Sequence, residues 1–250
     1  MFRHLVIAVG FVLATSVAAA AQEFEKGWLD VSFGVASAAE KEFGSARVIV
    51  ISQEFGGGAA AYGVPRGGSF DVGGGYMFNS RVGLGVSLAG TAHEDTAGLA
   101  ISIPHPLVFN ASASDATVTS GVLTRAEGAW HIHAMLVAAQ TPRIRLRVFG
   151  GPSYFRAEQE TVSGIEYDQV FQVFGRGNVV DITSYTTSES VGTGWGGHFG
   201  ADVAVFFNRV FGVGAVVRVS RGSVEIADYG PAHDIKTGGV QFGGGLRLKF

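Results

Sequence analysis

The sequence predicts an all-β fold: an eight-stranded antiparallel up-and-down transmembrane β-barrel, with short turns at one rim and long loops at the other. Three observations carry this reading. The terminal segment Val240–Phe250 places Val240, Phe242, Leu246, Leu248 and Phe250 on one face and Gln241, Arg247 and Lys249 on the other. That is the period-two pattern of a strand, whose successive side chains turn to opposite faces. The same alternation recurs along the chain, with the 38 glycines inside the alternating segments. Finally, short and long connections follow one another in strict alternation.

The front end comes first. Arg3 precedes the apolar run Leu5–Ala14, and Ala18–Ala21 offers a small-residue cleavage site. The run is too short for a spanning helix, so residues 1–21 read as a secretory signal and 22–250 as one β domain. There is no cysteine, which excludes a lipid-modified cysteine anchor, a disulfide framework and a cysteine metal site. The formal charge is −3, and −4 once Arg3 is removed. So near-neutral a balance gives no case for nucleic acid.

Eight strands are predicted: Gly27–Ser37, Gly67–Phe78, Arg81–His93, Thr124–Gln140, Arg143–Ala157, Gly194–Phe207, Arg209–Ser220 and Lys236–Phe250. Most reach the ~9–11 residues with which a tilted strand crosses a bilayer. Asn79–Ser80, Thr141–Pro142 and Asn208–Arg209 are minimal polar turns; 38–66, 94–123, 158–193 and 221–235 are long. An up-and-down barrel puts every second connection at the same end. One rim therefore takes only tight turns, as in bacterial outer-membrane barrels, where it faces the periplasm.

The faces agree. Leu29, Val31, Phe33 and Val35 oppose Asp30 and Ser32; Val82, Leu84, Val86 and Leu88 oppose Gly83, Gly85 and Ser87; Ile144, Leu146 and Val148 oppose Arg145 and Arg147. The apolar faces lack ionisable groups, each of which would cost roughly 2–4 kcal/mol at the bilayer midplane. A soluble barrel with a ligand cavity has the same period with its faces reversed. The terminal Phe250, the turn–loop asymmetry and aromatics near strand ends (Trp28, Tyr76, Phe78, Phe206, Phe207, Phe211) favour lipid outside.

On these features the chain resembles the small outer-membrane β-barrel domain proteins of the OmpA/OmpX type. The resemblance covers Gly27 to Phe250 and includes the glycine-rich strand segment Arg147–Tyr154. It implies that Phe250 is a signal for the barrel-assembly machinery. A monomer in outer-membrane lipid is expected, with extracellular loops 94–123 and 158–193 as the place where a ligand would dock.

The polar faces collect Asp30, Asp71, Glu127 and Asp202 against Arg145, Arg147, Arg218, Arg247 and Lys249, with His131, His133 and His198. An eight-stranded barrel is just wide enough for side chains to fill it. Opposite charges are expected to pair and plug the lumen, with inward glycines (Gly83, Gly85, Gly212, Gly214, Gly243, Gly245) leaving room for arginine. The two-residue spacing of His131 and His133 is compatible with a metal, completed by His198 or Glu127. Pairing with carboxylates is the preferred reading, and no metal or cofactor is expected. No catalytic residue is assigned: His93, Glu94, Asp95, His105, His233 and Asp234 read as solvated loop residues. A structural, adhesive or surface-binding role is expected, with a narrow passive channel or a rim lipid-modifying enzyme as alternatives.

Three loop segments carry further expectations. Leu99–Phe109 is too apolar for a free loop and could cover the mouth, lie on the leaflet or dock a partner. Val170–Ile182 reads as a hairpin around Gly175–Asn178, and Arg47–Phe55 as an extension of the sheet. As spanning strands these would raise the count to ten; eight is preferred because no periplasmic turns separate them.

Overall fold

The structure is a computed structural model, and it describes residues 26–51, 53–109, 111–172, 177–226 and 233–250. The proposed signal, residues 1–21, lies outside them. Among the described residues ten strands form one antiparallel sheet: β1 Gly27–Ala38, β2 Glu42–Ile51, β3 Glu54–Gly63, β4 Gly67–Met77, β5 Val82–Ile103, β6 Ser114–Gln140, β7 Ile144–Gln172, β8 Gly177–Phe206, β9 Phe211–Ile226 and β10 His233–Lys249. Eight of them close a ring. β4, β1, β10, β9, β8, β7 and β6 follow in order, and β5 joins β6 back to β4. β1 pairs with β10 from Trp28↔Lys249 to Ala38↔Gly239, so the last strand seals the first. β2 and β3 form a hairpin docked on the upper part of β5 through Tyr62↔Ala97 to Gly57↔Ser102. The expected extension at 47–55 is this hairpin, and the spanning count stays at eight.

The tight turns are built by side chains that stand in for backbone. Asn79 Oδ1 accepts from the amides of Arg81 and Val82, both at 2.8 Å, and Asn208 Oδ1 from those of Val210 and Phe211 at 2.8 and 2.7 Å. Thr141 Oγ1 accepts from the Ile144 amide at 2.9 Å. Asn and Thr satisfy the turn amides locally, which is why three or four residues suffice at this rim.

The opposite rim differs from the expectation. The segments 94–123 and 158–193 are mostly strand: β5 and β6 pair up to Ile103↔Ser114, and β7 and β8 up to Gln172↔Gly177. Of the expected hairpin turn, residues 173–176 lie outside the described residues, and Gly177 and Asn178 belong to β8. Backbone pairing satisfies N–H and C=O groups that a loop would leave to water.

The faces sort as a lipid-embedded wall requires. Leu84, Val213 and Leu246 are 46%, 41% and 57% exposed, while Arg218 and Arg247 are 3% and 1% exposed. Two members of the expected aromatic girdle are corrected: Trp28 and Phe206 are buried inside. Both share strand parity with inward polar residues, Trp28 with Asp30 and Phe206 with Asp202. Tyr76, Phe78, Phe207 and Phe211 do lie on the outside near the short-turn rim.

Candidate functional site

The lumen is the site that the sequence singled out, and its contents stack in layers. Nearest the short-turn rim, Phe206 carries two cations on its ring, Arg145 Cζ at 5.2 Å and Lys249 Nζ at 4.6 Å from the centroid. Next lies a four-residue ion cluster. Arg147 Nη2 reaches Asp30 Oδ2 at 2.6 Å and Asp202 Oδ1 at 2.5 Å. Arg247 holds the other Asp202 oxygen through Nε at 2.7 Å and Nη2 at 2.6 Å, and gives Nη1 to Ser32 Oγ at 2.9 Å. Trp28 lies under Arg147, 5.0 Å from centroid to Cζ.

One layer higher, Arg218 Nη1 meets Asp71 Oδ2 at 2.5 Å and Nη2 meets Ser87 Oγ at 3.2 Å, with the Phe149 ring 5.5 Å from its Cζ. Aromatic faces pressed on guanidinium groups supply attraction that survives desolvation. The glycines opposite make these long side chains fit. A Cβ on Gly214 would stand 2.9 Å from Arg247 Nε, and one on Gly85 would run into Trp28 and His133.

Above the arginines, Ser153 Oγ sits between two imidazoles, 2.8 Å from His131 Nδ1 and 2.9 Å from His198 Nδ1. The His131 and His198 rings are 4.4 Å apart, and His133 lies 5.5 Å from His198. The expectation that these histidines pair with carboxylates is corrected for His131 and His198, which share a serine, while His133 packs against the rings of Trp28 and Phe149. Among the described residues no group of three or more His, Asp or Glu side chains is arranged to hold a metal ion. Higher still, Arg125 grips Glu127 Oε1 through Nε at 2.8 Å and Nη2 at 2.7 Å. Glu127 Oε2 accepts from Thr237 Oγ1 at 2.6 Å and from the Gly238 amide at 2.8 Å. Gly238 and Gly239 have φ of +91° and +132°, which only glycine adopts without strain, and the Gly238 amide points inward to Glu127.

The top of the tube is apolar. Tyr62, Leu99, Phe155, Val162, Ile226 and Ile235 fill it as one cluster, and Ile101, Ile103 and Val180 as a second. Segment 99–109 therefore splits: Leu99, Ile101 and Ile103 point inward, while Leu107, Val108 and Phe109 are exposed at the tip. Between the ion layers remains a void of about 20 Å3, beside Asp30, Asp71, Arg147 and Arg218. That is room for about one water.

All nine charged residues and three histidines expected in the lumen are inward. The sequence reading missed Arg125, although it shares parity with Glu127 two positions on. It also missed the inward aromatics Trp28, Phe149, Phe155 and Phe206. The rim residues are dispersed. His93 is buried, and its Nδ1 lies 2.8 Å from the Pro65 carbonyl oxygen, so it is not a solvated loop residue. Burial, ahead of any neighbouring charge, lowers its pKa from the usual histidine value. Glu94 and Asp234 are exposed, and Asp95 Oδ1 accepts from the Thr96 amide at 2.7 Å. His105 Nδ1 accepts from the Leu107 and Val108 amides at 3.1 and 3.0 Å. The His233 side chain lies outside the described residues.

No protein-family model and no curated protein sequence matches the chain. Solved structures do. The outer membrane protein OprG from Pseudomonas aeruginosa superposes with a TM-score of 0.50 at 11% identity, over 92% of this chain and 99% of that one. The outer membrane protease OmpT from Escherichia coli matches at 0.42 and 9%, over 94% and 100%. Ail, the attachment invasion locus protein of Yersinia pestis, solved with the heparin analogue sucrose octasulfate, matches at 0.38 and 15%, over 89% and 99%. The chain thus has the fold of the small outer-membrane β-barrel proteins. The OprG superposition carries that statement, and it concerns fold alone.

Proposed function

We propose that the chain is an outer-membrane surface protein with a structural, adhesive or binding role. Its plugged barrel anchors a rigid β-sheet protrusion outside the cell. Residues 1–21 would direct export and be cleaved. The observation that supports this reading best is the continuity of β5–β8. These strands run from the lipid-facing wall into an upper section with its own apolar core, and the connection between β5 and β6 exposes Leu107, Val108 and Phe109. Buried ion pairs below and apolar side chains above leave little space for solute flow. Planar-bilayer recording of the purified protein tests the plug. Conductance is expected to stay at baseline, and large steady openings would refute it. Cell fractionation with a gel before and after boiling tests the location. The unboiled barrel is expected in the outer-membrane fraction with shifted migration.

A further inference from the structure

One patch of the outer wall departs from the rest. Trp130, Tyr154 and Trp195 lie in register on three adjacent strands, Trp130 opposite Tyr154 and Tyr154 opposite Trp195. The Tyr154 and Trp195 rings meet edge to face at 5.2 Å, and Trp195 is 71% exposed. Of the chain's three tryptophans these two face outward, and both are here.

Two outward arginines flank the rings. Arg156 on β7 is opposite Thr193, and Arg221 on β9 is opposite Gly197. They stand two strands and four residues apart on the sheet, about 16 Å between Cα atoms from standard strand spacings. The floor beside them is open: a Cβ on Gly128, opposite Arg156, would meet nothing within 4 Å, and one on Gly197 only the Gly151 carbonyl at 3.6 Å.

Height in the membrane decides what these arginines meet. Arg221 lies ten residues along β9 from Phe211 of the lower aromatic belt (221 − 211), and Arg156 twelve along β7 from Ile144 (156 − 144). Strands cross in ~9–11 residues, so both guanidinium groups emerge at the outer headgroup level. Glu158 holds Nε and Nη2 of Arg156 at 3.0 and 2.8 Å, and leaves Nη1 to the surroundings. An exposed pair of this kind contributes little. Glu158 and Glu225 lie further out along the same strands, so positive charge sits at the headgroups and negative charge above them.

We propose that this face binds a phosphorylated disaccharide glycolipid of the outer leaflet. Its phosphates would lie on Arg156 and Arg221, and its sugar rings over Trp195 and Tyr154. Guanidinium–phosphate pairs are charge-assisted and can be bidentate, and an indole offers an apolar face beside a polar edge. The proposal rests on the outer-membrane reading above. The test is binding of lipopolysaccharide to the purified, detergent-folded protein, followed by native mass spectrometry. The Arg156→Gln/Arg221→Gln double variant is expected to bind at least about tenfold more weakly, as loss of charged hydrogen bonds implies. Trp195→Ala is expected to lose several-fold. Arg209→Gln, an equal charge removed at the opposite rim, is expected to keep full affinity. Enzymatically dephosphorylated lipopolysaccharide should bind the wild-type protein as weakly as the intact lipid binds the double variant. Gel migration before and after boiling shows that each variant is folded. Unchanged affinity in the folded double variant, or equally tight binding to phosphatidylglycerol vesicles, overturns the proposal. Either result leaves the outer-membrane reading standing, since that reading fails only if the protein fractionates elsewhere.

Discussion

Arg218 on β9 meets Asp71 on β4 across the lumen, Nη1 to Oδ2 at 2.5 Å, and so ties two strands that β10 and β1 separate in the sheet. Both side chains are buried. Removing one partner leaves the other charge without compensation, which costs about 3–5 kcal/mol. Asp71→Ala is therefore expected to lower the stability of the folded barrel by that order in denaturant titration. The double variant Asp71→Ala/Arg218→Met should recover most of the loss. Equal stability of the single variant and wild type would show the pair to be dispensable.

The glycines divide by face. A side chain at Gly85 would enter the space of Trp28 and His133, whereas one at Gly128 would point into the open. Gly85→Val is expected to cost about 1–3 kcal/mol by overpacking. Gly128→Ala should stay within about 0.5 kcal/mol of wild type, as exposed substitutions do. The same denaturant titration checks both, and a reversed order would mean that the faces are misassigned.

His93 sits where the outer wall is interrupted: β4 stops pairing with β5 at Gly68↔Ala92, and β3 resumes at Tyr62↔Ala97. Its pKa is lowered on folding, chiefly by burial, so the neutral ring is the form that the fold prefers. The stabilisation is present above the unfolded value of about 6.5. It is lost as pH falls through the folded value. Acidification below that unfolded value is expected to speed amide hydrogen exchange at residues 63–67, and His93→Gln should flatten that dependence. Exchange that is insensitive to pH in the wild type, after correction for intrinsic rates, would contradict it.

Phe250 closes the cylinder twice. Its amide donates to the Gly27 carbonyl at 2.9 Å, and its carbonyl accepts from the Gly27 amide at 2.7 Å. Its ring lies where a Cβ on Gly27 would be. Phe250→Ala keeps the backbone bonds but loses the ring. It is expected to fold in detergent with slightly reduced stability, while its yield in the outer membrane falls several-fold. Undiminished yield in cells would remove the assembly role from this residue.

The spanning strands were legible because a wall with lipid on one side enforces period-two alternation at every position. Leu84, Val213 and Arg247 fall on the sides that their chemistry dictates. Trp28 shows where chemistry alone misleads. A tryptophan near a strand end fits an interfacial belt, yet its parity with Asp30 already assigns it inward, against Arg147. Arg125 was legible by the same parity with Glu127. The upper strands were not, because outside the membrane nothing forces the outer face to be apolar. The alternation of 158–193 is correspondingly diluted by serine, threonine and glutamate. The interleaving of Ser153 between His131 and His198 depends on register between β6, β7 and β8, which no single segment contains.

β7 runs unbroken from Ile144 at the short-turn rim to Gln172, and β8 returns over the same distance. A tug on the far tip is therefore delivered along the strand axes. It strains many ladder hydrogen bonds at once in shear, rather than peeling them one by one. On the proposed surface-binding role, a partner at that tip would be tethered by a mast with its footing in the bilayer, and its orientation relative to the cell surface would be set by the tilt of the strands.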